Sequence, residues 1–106
     1  QEFGWILIRV FGTVALVPLI EELFFRGYLL ERLGRGNPAW RMAALVLSSL
    51  AFGLLHDRFT AAALSGLVFG LILLRTGRLA SPIQAHVLSN AIVAAWAAAT
   101  MNWTLI

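Results

Sequence analysis

Apolar residues fill positions 3 to 20 except at Gly4, Arg9, Gly12, Thr13 and Pro18, and the same helical pattern runs on through Glu21 and Glu22 to about Leu33. This stretch predicts one long first helix. Pro18 cannot donate a backbone hydrogen bond, so a kink is expected close to the two acids, tolerable where a neighbouring helix satisfies the freed carbonyl. Gly34-Arg-Gly-Asn-Pro38 is the clearest turn signal in the chain. A second apolar run predicts a helix from about Ala39 to His56, ended by the polar pair Asp57-Arg58. A third is expected from about Thr60 to Leu74 and, after a loop over Arg75 to Ser81, a fourth from about Pro82 to Met101 or beyond. At about 15 residues the third is short for a perpendicular crossing of a roughly 30 Å hydrocarbon core, which implies local thinning or partial burial. Gly66 and Gly70 in it form a GxxxG pair, a spacing that lets a neighbouring backbone approach closely.

Composition turns this pattern into a membrane assignment. Of 106 residues, 60% are hydrophobic and only 12% charged, and the mean hydropathy is +0.86, well beyond the roughly half apolar content of soluble domains. The fold class is therefore all-α, an integral membrane bundle of about four transmembrane helices. Residues 1–106 form one domain, and flanking helices are expected to be missing from it. There is no cysteine, which excludes disulfides and thiolate chemistry. The net charge of +3 comes from arginines scattered through apolar sequence without a basic stripe, so nucleic-acid binding is not expected. Arg32, Arg35 and Arg41 flank the first loop and Arg75 and Arg78 the third, whereas the second carries only Arg58. By the positive-inside tendency the first and third loops are cytoplasmic. Trp5, Trp40 and Trp103 fall near predicted helix ends, as an aromatic belt requires; Trp96 does not and is packed or lipid-facing.

Against this background Glu21, Glu22, Arg26, His56, His86 and Asn90 stand out, because ionisable and strongly polar groups within apolar spans are costly and mark functional sites by default. Glu22 and Arg26 are four apart, in the favourable order for an ion pair on one face. Glu21 lies about 100° round the helix and is poorly placed to share that arginine. One carboxylate is thus neutralised and the other left to act as a general base toward water. A structural Glu-Arg pair with a spare acid facing a polar cavity fits equally well. His56 alone reads most simply as a satisfied polar group at a helix end. His86 and Asn90, again four apart, could supply two donors to an oxyanion or simply bond across helices. Together the residues provide base, polariser and oxyanion donors for hydrolysis. One conflict remains: counted at about 1.5 Å per residue from the arginine-rich side, Glu21 lies roughly 18 Å deep, His56 roughly 24 Å and His86 only about 6 Å. Tilt, the Pro18 kink or an inward-dipping loop before Pro82 is needed to unite them.

Glu21-Glu22-Leu-Phe-Phe-Arg26 resembles the EExxxR motif of the CPBP intramembrane proteases, also called the CAAX-protease, bacteriocin-processing or Abi family. Phe52-Gly-Leu-Leu-His56 is similar to its FxxxH motif and His86-Val-Leu-Ser-Asn90 to its HxxxN motif. Each motif alone is weak; three in order on apolar helices make a specific match, spanning Ile20 to Asn90 and, by extension, the family's conserved core. The resemblance implies a membrane-embedded endopeptidase, in a prokaryotic cell membrane, in which Glu21 activates water, His56 assists, His86 and Asn90 stabilise the oxyanion, and Glu22 with Arg26 supports the helix. It also implies protein or peptide substrates held at the bilayer, prenylated CAAX termini among them. The family has also been described as zinc-dependent, with Glu21, Glu22, His56 and His86 as the candidate ligands. No HExxH helix is present, and the metal-free glutamate mechanism is the expectation. Two other classes compete: a non-catalytic immunity protein that binds a bacteriocin or its receptor, and a proton-coupled transporter using the same groups as a relay.

Overall fold

The computed structural model describes residues 2–106. Four helices in up-down order account for the described chain, with no strand among those residues. The first, α1, is continuous but widens twice: α-helical over Glu2–Phe11, a π-turn over Gly12–Leu16, α-helical over Val17–Phe24, a second π-turn over Phe25–Leu29, and a last turn over Leu30–Leu33. Helix α2 spans Pro38–Leu54, α3 Phe59–Thr76 and α4 Ala80–Thr100, followed by a short 3₁₀ turn over Trp103–Leu105. Asn37 caps α2 by accepting the Trp40 N–H at 2.8 Å, with Pro38 in the first turn where a missing N–H costs nothing. Gly77 ends α3 in the left-handed conformation, φ +68°, which glycine adopts without steric cost.

Several boundaries differ from the sequence pattern, each for a local reason. Pro18 does not break α1. The widened π-turn just before it takes up the missing hydrogen bond, with the Val17 N–H bonded to the Gly12 carbonyl five residues back. Helix α2 stops at Leu54, so His56 sits in the turn beyond it, its N–H on the Gly53 carbonyl at 3.0 Å. Helix α3 has 18 residues and is long and apolar enough to cross a membrane, as is Phe3–Leu33. Helix α4 begins at Ala80, two residues ahead of Pro82, and the loop before it is correspondingly short.

The distribution of polarity is inverted relative to a soluble bundle. Phe3, Trp5, Phe11 and Trp96 are 72%, 60%, 65% and 63% exposed, while Glu22 is 0%, Arg26 2% and His86 4% exposed. Apolar groups turned outward and charges turned inward suit a lipid surround, since water would penalise the first and lipid the second. A small apolar core of Leu30, Ala44 and Leu45, with Leu33, Leu67, Leu73 and Leu74 against it, ties the arginine-rich end together.

Both glycines of the GxxxG pair make room for side chains, not for a neighbouring backbone. A Cβ at Gly66 would lie 3.1 Å from both the Arg26 guanidinium and the Phe52 ring, and one at Gly70 would run into the Leu45 side chain. Gly27 serves loop 77–79 in the same way: a Cβ there would meet Leu79 at 3.1 Å. Replacing Gly70 by Val should therefore overpack the α2–α3 contact and cost about 1–3 kcal/mol. Thermal inactivation in detergent would register it as a lowered midpoint, whereas Gly4→Ala, with nothing within 4 Å of the added carbon, should leave the midpoint in place.

Candidate active site

Antiparallel register between α1 and α2 builds the first half of the site. The rings of Phe25 and Phe52 meet edge to face at 5.2 Å, and one turn further along both chains Glu21 Oε2 faces His56 Nε2 at 3.3 Å. The second half comes from α4, and the contact of Leu79 with Gly27 explains how His86 reaches the site. Because the loop before α4 is drawn inward to the level of Gly27, six residues short of the end of α1, the seven residues from Leu79 to His86 climb about 10 Å to the depth of the two glutamates. The expected difference in depth is removed by this inward loop.

His86 stands between the two acids. Its Nδ1 lies 2.7 Å from Glu22 Oε2 and its Nε2 3.6 Å from Glu21 Oε1. Glu22 Oε2 also forms an ion pair with Arg26 Nη1 at 3.2 Å, as the four-residue spacing predicts. The guanidinium is held from other directions as well: Nη2 donates to the Gly66 carbonyl at 2.7 Å, and the Phe52, Phe69 and Phe25 rings surround its carbon at 4.7, 5.5 and 6.0 Å. Glu22 is thus locked into a buried network. Glu21, with its side chain 19% exposed, is not engaged by the arginine and opens onto a cavity of about 340 Å³. Val17, Phe69, His86 and Asn90 are among its walls.

The hydrogen-bond partners fix both histidine tautomers. His56 Nδ1 lies 2.7 Å from the Phe52 carbonyl, which can only accept, so this nitrogen carries the proton. His86 Nδ1 likewise donates to the Glu22 carboxylate. In their neutral forms both rings therefore turn an unprotonated Nε2 toward Glu21, and two lone pairs plus a carboxylate facing one another can share a proton, a bridging water or a cation. Such an arrangement can hold a water molecule between the carboxylate and the two rings. A proton added to His86 Nε2 makes it a cation against Glu22, and in that form it can donate to an oxyanion.

Asn90 departs from the simplest expectation, because its Nδ2 already donates to the Thr13 carbonyl at 2.9 Å. The bond across helices and the oxyanion role are compatible, since the amide has a second N–H and lines the cavity. Phe69 was not singled out by the sequence. It stacks on His86 with centroids 4.5 Å apart and planes at 20°, fixing the imidazole plane. The only sequence signal for it is its position one turn after Gly66, on the same side of α3. The carbonyls of Gly66 and Thr13 escape side-chain reading altogether.

Of the four residues considered as zinc ligands, Glu22 is committed to Arg26 and His86, and among the described residues no group of three or more His, Cys, Asp or Glu has an arrangement that would hold a metal ion.

The family model for type II CAAX prenyl endopeptidase Rce1-like proteins matches residues 3–92. The membrane-embedded CAAX protease MroQ of Staphylococcus aureus (strain USA300) is 34% identical over 93 residues, covering 81% of this chain and 38% of that protein, so the chain spans well under half of its relative's length. No solved structure matches. The match covers both glutamates, both histidines and Asn90, and on it the chain belongs to the Rce1-like family of type II CAAX prenyl endopeptidases.

Proposed function

We propose that this chain is the catalytic core of an intramembrane endopeptidase in which Glu21 activates water to hydrolyse a peptide bond. The observation that supports it most directly is the unequal treatment of two adjacent acids: Glu22 is closed off by Arg26 and His86, while Glu21 faces the cavity between two imidazole Nε2 atoms. A water bound there gives one proton to Glu21, its other hydrogen bonding to His56 Nε2, and its oxygen attacks the scissile carbonyl carbon. The oxyanion that forms takes hydrogen bonds from protonated His86 and from the free N–H of Asn90. Glu21 then passes its proton to the departing amine as the carbon–nitrogen bond breaks, which leaves the acid ionised for the next water. Glu22 carries no proton in this sequence; it keeps His86 oriented and Arg26 neutralised.

The substrate assigned to the site is a membrane-held peptide, prenylated CAAX termini included, because the cavity walls beside the polar cluster are apolar: Val17, Phe52, Ala62, Phe69 and Val93. Such a pocket favours extended apolar chains, whose peptide groups it must desolvate before attack. Cleavage in the bilayer also keeps competing water scarce around the developing charge.

Two measurements test this reading. Glu21→Gln keeps shape but removes the base, and turnover of a prenylated CAAX peptide by the full-length protein in detergent should fall by at least about 100-fold. Hydrolysis at the normal rate in that variant would overturn the assignment, and immunity against a bacteriocin that persists in it would favour a binding function. Separately, activity should survive exhaustive chelation with no zinc found by elemental analysis. Loss on chelation and recovery with Zn²⁺ would transfer the water-activating role to a metal.

A further inference from the structure

The Thr13 carbonyl occupies an unusual position in α1. In an α-helix it would accept from the Val17 N–H, but that group bonds instead to Gly12. In a π-turn it would accept from residue 18, and residue 18 is proline, which has no N–H. Both main-chain donors that could reach it are thus removed, one by the pitch of the turn and one by the imino acid. An unpaired carbonyl inside an apolar bundle is costly. Its partner is the Asn90 Nδ2, at 2.9 Å, reaching across from α4. The donor must be nitrogen because a carbonyl only accepts, so the contact also fixes which end of the Asn90 amide points where.

We propose that Pro18 is a positioning residue for the reaction assigned above: by withholding its N–H it reserves the Thr13 carbonyl for Asn90 and so holds the amide with its second N–H turned into the cavity. The inference rests on the protease reading for its functional half only; the hydrogen-bond exchange itself is independent of it. Pro18 touches no reacting atom. It is buried and sits one turn before Glu21, on the helix that carries the base. The main chain next to the general base thereby sets the orientation of an oxyanion donor on a different helix, so that both respond to one backbone feature.

The variant Pro18→Ala restores the missing N–H. Whether the turn stays wide or tightens to α, the Thr13 carbonyl then gains a main-chain donor, from the substituted position in the first case and from Val17 in the second. Asn90 loses its exclusive partner. In the full-length protein, Pro18→Ala should lower kcat by about 10-fold to 100-fold with KM little changed, the signature of an interaction that matters only in the transition state. It should leave the thermal midpoint at or above that of the natural protein.

A double-mutant cycle with Asn90→Ala decides the hydrogen-bond exchange without recourse to activity. With Pro18 present, Asn90→Ala strands the Thr13 carbonyl and should lower the thermal midpoint clearly; in the Pro18→Ala background, the backbone supplies the donor and the same change should lower it much less. In turnover, Pro18→Ala should add nothing once Asn90 is replaced by alanine. Equal losses of midpoint from Asn90→Ala in both backgrounds would overturn the exchange. Normal kcat in a stable Pro18→Ala protein would overturn the positioning role. If Glu21→Gln retains activity, the protease reading fails, and the midpoint cycle still accepts or rejects the hydrogen-bond exchange on its own.

Discussion

Everything in this bundle is arranged around a buried carboxylate. Glu22 is completely removed from solvent, and a charge so placed is tolerated only with close partners, here Arg26 from its own helix and His86 from α4. The arginine is held in turn by the Gly66 carbonyl of α3 and by three aromatic rings. Removing one member of such a pair typically costs about 3–5 kcal/mol because the other is left uncompensated. The network therefore ties α1, α3 and α4 into a single relative position. In a lipid surround, where apolar contact gives little preference for one helix neighbour over another, polar bonds of this kind supply the specificity that a hydrophobic core supplies in water.

The geometry of the open site follows from where that network leaves off. Neighbouring residues on a helix project about 100° apart, so locking Glu22 into the interior turns Glu21 to the side, past the arginine and into the cavity. His86 then serves both acids through its two nitrogens. One nitrogen belongs to the fixed network and the other to the open site, and the Phe69 ring against its face keeps the plane from rotating. The order of the buried cluster is in this way passed to the residue next to it without that residue being buried itself.

Much of this was legible in the sequence, and the parts that were not share a cause. Apolar runs long enough to span, and a turn of Gly34-Arg-Gly-Asn-Pro38, gave the helix count. The four-residue spacings of Glu22 with Arg26 and of His86 with Asn90 placed each pair on one face. Such spacings act within a helix. They say nothing about register between helices, which here depends on Gly27 admitting Leu79 and on Phe25 meeting Phe52, so the depth of His86 could not be counted from Pro82. Nor do they report on backbone carbonyls, and two acceptors in the site, on Gly66 and Thr13, are main-chain groups that no side-chain spacing marks. Phe69 was hidden for the opposite reason: one more phenylalanine in an apolar helix has no distinguishing mark until the imidazole is stacked on it.

The two π-turns of α1 also account for the shape of the cavity wall. Thr13, Val17 and Glu21 all line it, at steps of four residues. In a regular α-helix each such step drifts about 40° round the axis, so three residues spaced this way would spread over roughly 80° and the first would leave the face of the third. The step from Thr13 to Val17 crosses the π-turn, whose wider pitch holds more than four residues per turn and drifts in the opposite sense; the step from Val17 to Glu21 is α-helical. The two drifts offset one another, and the three positions fall nearly in line. The second π-turn, over Phe25–Leu29, resets the phase again beyond the acids, where Leu30 must face the apolar core. Insertions of this kind are common at functional sites because they re-aim a short stretch of helix without breaking it. Here they let one long helix face a polar cavity along its middle and an apolar core at its end.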